Sequence, residues 1–179
     1  MLIVSHYLLD KADMQFPDHA ILRVNVAWLN TLDELKSVLK KLKHDIYLDY
    51  PQGRVKPPKP KITLDETIGV ANLFPNVKYF AVSNVEEPGG ILDIKNRLPK
   101  HIEMIPKIET ERGILNLENI VRKTGVGAIM FDKEDLYSDV NHDAEKFNAL
   151  MKLTWAKGQK LGIKVLETHG VVFLPRKYD

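Results

Sequence analysis

An open, abbreviated (β/α)8-type barrel of about seven parallel strands is the α/β fold that this sequence predicts. Apolar runs of strand length alternate with amphipathic segments of helix length, the order of parallel βαβ units. Seven such runs with about six connections fit a doubly wound sheet or most of a barrel. The chain's 179 residues fall short of the roughly 250 of a full barrel, so any barrel here is incomplete. Length alone suggests one domain over residues 1–179.

The first strand is expected at Leu2–Ser5. The opening MLIVSHYLLDK has no basic residue ahead of its short apolar run and no small-residue cleavage site behind it, so it reads as a strand and not as a signal peptide. The first crossover, Leu9–Ala20, is too brief for a full helix. A second strand follows at Ile21–Ala27. Thr31-Leu-Asp-Glu34 then forms a capping box, with leucines at 35, 39 and 42 marking a helix. The third strand is read at Ile46–Asp49. Beyond it, Arg54–Lys61 carries three prolines, which favour extended polyproline II structure and exclude a central strand. Four of those eight residues are basic, but no aromatic residues interleave for base stacking, so the stretch reads as a solvated linker.

A second capping box, Thr63-Leu-Asp-Glu66, opens the next helix, and strands follow at Tyr79–Ser83 and Glu103–Ile108. Gly89-Gly90 between them reads as a flexible connection before a helix at Ile91–Leu98. The remaining helices are expected at Gly113–Lys123 and Ala144–Leu161, and the remaining strands at Ala128–Phe131 and Lys164–Thr168. Only Gly170–Asp179 come after the seventh strand. Val171–Leu174 suit part of an eighth strand, with no helix behind it.

Composition narrows the function classes. A net charge of +2 is too small to argue for nucleic acid or a membrane surface as partner. No apolar stretch approaches the roughly 20 residues that span a bilayer. The absence of cysteine excludes disulfides and thiolate metal sites, and fits a cytoplasmic protein.

One strand carries unexpected charge. In MIPKIETERGIL, Lys107 and Glu109 are two residues apart, so they share one face, with Pro106 and Ile108 on the other. In a parallel barrel the pair projects inward near the C-terminal mouth, where barrel active sites sit. The next strand ends Phe131-Asp-Lys-Glu-Asp-Leu136, so Asp132 or Asp135 is placed to supply a second carboxylate beside Glu109. Two carboxylates with waters suit a hard divalent cation, Mg2+ or Mn2+. A lysine beside it can stabilise a developing enolate oxygen. The alternative is an ion-pair cluster that closes a strand end.

The block IPKIETERGILNLENIVRKTGVGAIMFDKEDL resembles the pyruvate kinase signature: a lysine-isoleucine-glutamate strand, a glycine, a helix, and a strand ending in an alanine-arginine-glycine-aspartate-leucine turn. The wider superfamily of phosphoenolpyruvate- and pyruvate-binding TIM barrels, with its metal-dependent aldolases and citrate-lyase-like enzymes, shares this logic. Weaker likenesses run in order through ILRVNVAW, IYLDYPQGRVK, ITLDETIGVANLFPNVKYFAVSNV and IKVLETHGVV. The resemblance implies a truncated pyruvate kinase-like barrel with these roles: Lys107 stabilises the enolate of pyruvate; Glu109 and Asp135 ligate the metal; backbone N–H groups around Glu134 and Asp135 hold the substrate carboxylate at a helix start; Thr168 lies near the carbon that is protonated; Arg23 reaches a phosphate or carboxylate; and Asn25 and Asp49 match monovalent-cation ligands.

Departures from the pattern count against phosphoryl transfer. The kinase's serine and histidine are Ala27 and Trp28 here, its threonine is Tyr50, and Lys133 and Glu134 replace the arginine and glycine of the turn. The lid domain shrinks to the Arg54–Lys61 linker. The expectation is therefore a metal-dependent lyase, of aldolase or decarboxylase type, acting on a small 2-oxo acid through its enolate. The alternative is a non-catalytic binding or regulatory module on the same scaffold. Of the six histidines, only His169 at a strand end is a candidate acid or base. Trp28 is expected to line a pocket or cover an open edge, and Trp155 to pack. A barrel with a missing final helix exposes a strand edge, so a two-fold homodimer is expected through Val172, Phe173 and Leu174, with Tyr7 or Trp28.

Overall fold

The computed structural model describes residues 3–5, 18–53 and 57–167. Its seven strands are β1 Ile3–Ser5, β2 Ile21–Asn25, β3 Ile46–Tyr50, β4 Val77–Val82, β5 Glu103–Ile108, β6 Ala128–Phe131 and β7 Lys164–Glu167. All neighbouring pairs are parallel and their order is sequential, β1 to β7, so the sheet curls into a half-barrel with β1 and β7 at its two edges. Sequential order decides between the two topologies the sequence left open, because a doubly wound sheet reverses its strand order at a switch point.

The helices are α1 Leu32–Lys41, α2 Leu64–Ala71, α3 Pro88–Arg97, α4 Glu111–Leu115, α5 Leu117–Thr124, α6 Lys133–Asp139 and α7 Ala144–Leu161. Their starts follow from local chemistry. Thr63 accepts from Glu66 N–H, and Glu66 accepts from Thr63 N–H at 2.8 Å, a complete capping box. Thr31 accepts likewise from Glu34 N–H, but Glu34 reaches one residue further back, to Asn30 N–H at 2.7 Å. Gly125 and Gly162 end α5 and α7 in the left-handed conformation that glycine adopts without strain.

Several sequence expectations need correction. Gly89 and Gly90 lie inside α3, because Pro88 starts that helix with its fixed backbone angle and no N–H to satisfy. The helix expected at Gly113–Lys123 is two helices that meet at Asn116. The segment after β6 forms α6, which apolar periodicity did not reveal. Trp28 closes a short 3-10 turn with 59% of its surface exposed, and Trp155 is 40% exposed, its indole N–H donating to Glu167 at 3.0 Å. Thr168, His169, Tyr7 and the tail Val172–Leu174 lie outside the described residues.

Both faces of the sheet are buried, and the two cores differ in size. The outer face packs on the helices through Val24, Leu48, Phe80, Ile108, Ile129 and Phe131, among others. The inner face holds a smaller cluster: Ile21, Tyr47, Ala81, Ile105, Ala128 and Met130. Close approach fixes Gly113 at the start of α4, where a Cβ would meet the Val85 carbonyl oxygen at 2.7 Å. Among the described residues, no helix is long and apolar enough to cross a membrane.

Candidate active site

The inner cluster forms a floor, and the next inward positions toward the C-terminal strand ends turn polar. Strand alternation puts Arg23 and Asn25 of β2, Asp49 of β3 and Lys107 of β5 on the inner face. Ser83, Glu109 and Asp132 follow directly at the ends of β4, β5 and β6. The same parity that makes Ile21, Tyr47 and Ile105 the floor thus makes these residues the mouth.

Lys107 is the hub. Its ammonium is 2.7 Å from Glu109 Oε1 and 3.8 Å from Asp49 Oδ1, and it donates to Ser83 Oγ at 2.9 Å. Burial alone would lower its pKa, but the charges of Asp49 and Glu109 outweigh that and raise it above the ordinary lysine value. Glu109 is held from two sides. Its Oε2 accepts from Asn84 N–H at 2.8 Å, while Oε1 forms an ion pair with Lys107 at 2.7 Å. Burial pushes the Glu109 carboxyl up, with the negative charge of Asp135 adding to it, against the lowering effect of Lys107 and Asn84.

Arg23 donates from Nε to Asp49 Oδ2 at 2.8 Å, and its Nη2 forms an ion pair with the same oxygen. Burial opposes the guanidinium charge, but Asp49 more than compensates and the pKa is raised. Asp49 Oδ1 is fully buried and accepts no hydrogen bond. Beneath these charges Tyr47 is fully buried, its hydroxyl donating to Met130 Sδ at 3.3 Å; burial, with Asp49 nearby, pushes the phenol well above its ordinary range.

On the opposite wall, Glu109, Asp132 and Asp135 each offer an oxygen within 4.8 Å of the others. Among the described residues, two cations, Arg23 and Lys107, lie with four carboxylates, Asp49, Glu109, Asp132 and Asp135. The donor set of the carboxylate trio is all oxygen. These residues fit Mg2+ or Mn2+.

The expected site residues have these partners in the structure. Glu134 and Asp135 N–H groups were expected to take a substrate carboxylate. Both donate instead to Asp132 Oδ1, at 3.1 and 3.4 Å, because Asp132 caps α6 with its own carboxylate. The Glu134 side chain itself is exposed. Asn25 Oδ1 accepts from Ala27 N–H at 3.0 Å, and Asp49 is bound by Arg23, so a guanidinium supplies the charge that a monovalent cation would. Arg23 is thereby braced by Asp49, with a third of its side chain exposed.

Two partners escaped the sequence reading. Ser83 and Asn84 follow β4 directly, and Asn84 adopts a left-handed backbone (φ 55°) that aims its N–H at Glu109. Its side chain donates to the Gln52 carbonyl at 2.7 Å, tying the loop after β4 to the loop after β3. A Ser-Asn pair closing a buried apolar run was the available signal, since asparagine tolerates this conformation better than most residues.

No protein-family model matches this sequence, and no curated protein does. Solved structures do match by fold. An HpcH/HpaI aldolase/citrate lyase family protein from Burkholderia cenocepacia superposes with a TM-score of 0.64 at 13% identity, covering 82% of this chain and 70% of its own. The citrate synthase SbnG gives 0.66 at 12% identity, over 89% of this chain and 69% of its own. The protein CitE from Mycobacterium tuberculosis, in complex with magnesium and acetoacetate, gives 0.60 at 11%, over 93% and 71%. At these identities the likeness is one of fold alone, a TIM-type α/β barrel.

Proposed function

We propose that this protein is a metal-dependent enzyme of the lyase type that acts on pyruvate or a related 2-oxo acid through its enolate. The observation that carries this reading is the trio Glu109, Asp132 and Asp135, within 4.8 Å of one another and beside a buried lysine. The lyase-type neighbours with this fold, one of them solved with magnesium, support it.

Glu109, Asp132 and Asp135 would hold the divalent cation, which when bound supplies Lewis acidity toward the carbonyl oxygen of the 2-oxo acid. Lys107 provides a positive charge at the mouth, and a developing enolate oxygen is stabilised by a donor already oriented before reaction. Ser83 anchors that ammonium between the buried carboxylates of Glu109 and Asp49. Because Asp132 caps α6, the substrate carboxylate is assigned to Arg23, which Asp49 orients. Tyr47 and the apolar floor close the bottom of the site and exclude water from below. Phosphoryl transfer is not part of this reading, since in the sequence only the eight-residue stretch Arg54–Lys61 stands where the kinase-like pattern has its lid domain.

A non-catalytic binding module is the second reading. The capping of Glu134 and Asp135 N–H groups by Asp132 favours it, because a carboxylate of the chain itself sits where an anionic ligand would dock. Exchange of pyruvate's methyl protons with deuterium, followed by NMR, separates the two. The enzyme reading expects exchange in the wild type and its loss in Lys107→Met. Pyruvate binding without exchange supports the module. Among the described residues β1 and β7 each pair on one side only, which further leads us to propose a two-fold homodimer, for which sedimentation equilibrium should give twice the 20.5 kDa chain mass.

A further inference from the structure

We propose that Lys107 is a two-position residue: a divalent cation arriving at Glu109 drives its ammonium from Glu109 to Asp49, which is the built-in receiver. This inference rests on the metal-site reading above and concerns Asp49, which is not one of the three proposed ligands.

The geometry shows an acceptor without a donor. Arg23 directs both its Nε and Nη2 to Asp49 Oδ2, leaving Oδ1 buried with no hydrogen bond. A buried carboxylate oxygen in that state is costly, so its persistence calls for a use. Among the described residues, the cation paired with that oxygen is Lys107, at 3.8 Å from Oδ1. That is about 1 Å beyond the usual length of a charge-assisted hydrogen bond. On its other side the same ammonium sits against Glu109 Oε1 at 2.7 Å. Ser83 Oγ, at 2.9 Å, gives it a neutral anchor while it moves.

Without metal, Lys107 offsets part of the charge of Glu109. A divalent cation ligated by Glu109 repels the ammonium and takes over that role. Two cations cannot share one small, buried carboxylate comfortably, whereas Asp49 Oδ1 lies a short rotation of the lysine chain away. After the shift Asp49 is fully paired, with Arg23 on one oxygen and Lys107 on the other. The ammonium then no longer competes for Glu109 and is held by groups that leave it near the metal. The arrangement makes the enolate-stabilising position of Lys107 conditional on metal, so the charge is deployed only in the loaded protein.

Two measurements with Mn2+ alone test this. A crystal structure of the wild type soaked with Mn2+ should place Lys107 Nζ within about 3 Å of Asp49 Oδ1 and clear of Glu109 Oε1. Lys107 still seated on Glu109 beside bound Mn2+ overturns the proposal. In solution, Mn2+ affinity measured by calorimetry should fall about tenfold in Asp49→Asn, through loss of the receiver and not of a ligand. The same substitution in the Lys107→Met background should have a much smaller effect, because there is no ammonium left to receive. An equal penalty in both backgrounds overturns the proposal, since Asp49 would then act by its charge alone. Wild-type protein that binds no Mn2+ removes the metal-site reading itself, and the relay with it. Binding with Lys107 unmoved removes only the relay.

Discussion

The floor and the mouth of the half-barrel are built on the same strands, two residues apart, and are held by opposite physics. At the floor, Ile105 and Ala81 are fully buried among apolar neighbours, and burial itself stabilises them. At the mouth, Asp49, Lys107 and Glu109 are buried almost as completely, and each loses hydration that its partners only partly restore. A buried ion cluster is weak evidence for stability. The contrast teaches that the mouth is maintained at some cost to the fold, which is what the proposed chemistry would explain.

Substitutions that separate activity from stability break this comparison most sharply. Asp135→Asn should lower metal-dependent exchange of pyruvate's methyl protons by about 1,000-fold, or ~4 kcal/mol of barrier. The stability contrast comes next. Ile105→Ala, in the floor, should cost about 2–5 kcal/mol by removing a buried side chain and leaving a cavity. Glu109→Gln, in the mouth, should change metal-free stability by only about 1 kcal/mol. The amide still accepts from Asn84 N–H, one desolvated charge is gone, and Lys107 keeps Asp49 and Ser83. Urea unfolding of both variants measures the difference, and equal losses would erase the distinction.

Gly113→Ala is a milder test of how closely the loop after β4 is clamped to α4. The new methyl meets the Val85 carbonyl at 2.7 Å, against which the helical preference for alanine works weakly. A loss of about 1–3 kcal/mol is expected, read as a shift in urea midpoint.

The smallest effect is a pH dependence. Lys107 has a folded-state pKa raised above its ordinary 10.5. Its pairing therefore stabilises fully below that value and is lost as pH rises through the higher folded one. The stability gap between wild type and Lys107→Met should narrow on going to strongly alkaline pH. A gap that widens there would reverse the sign and deny that the charged lysine stabilises the mouth.

Much of the fold was legible because its signals are local. Two threonine N-caps, the β5 run Glu103–Ile108 and the long α7 pattern each name an element from its own residues. The misreadings arose where one residue overrode the pattern around it: Pro88 drew Gly89 and Gly90 into a helix, and Asn116 split one helix into two. The pairing of Lys107 with Glu109 was visible from strand parity. Their wider partners were not, because Asp49 and Ser83 reach Lys107 only after three strands align side by side. Capping by Asp132 was hidden for another reason. An aspartate at the end of a strand can serve as ligand, as cap or as both, and only the backbone of α6 reveals that one of its oxygens caps.

The measurement that tests the central claim most directly is deuterium exchange at pyruvate's methyl group, followed by NMR in the wild-type protein with and without Mg2+. The account predicts exchange that appears with Mg2+ and stops on its removal by a chelator. Exchange that proceeds equally without the metal, or its absence with Mg2+ and pyruvate both bound, would contradict it.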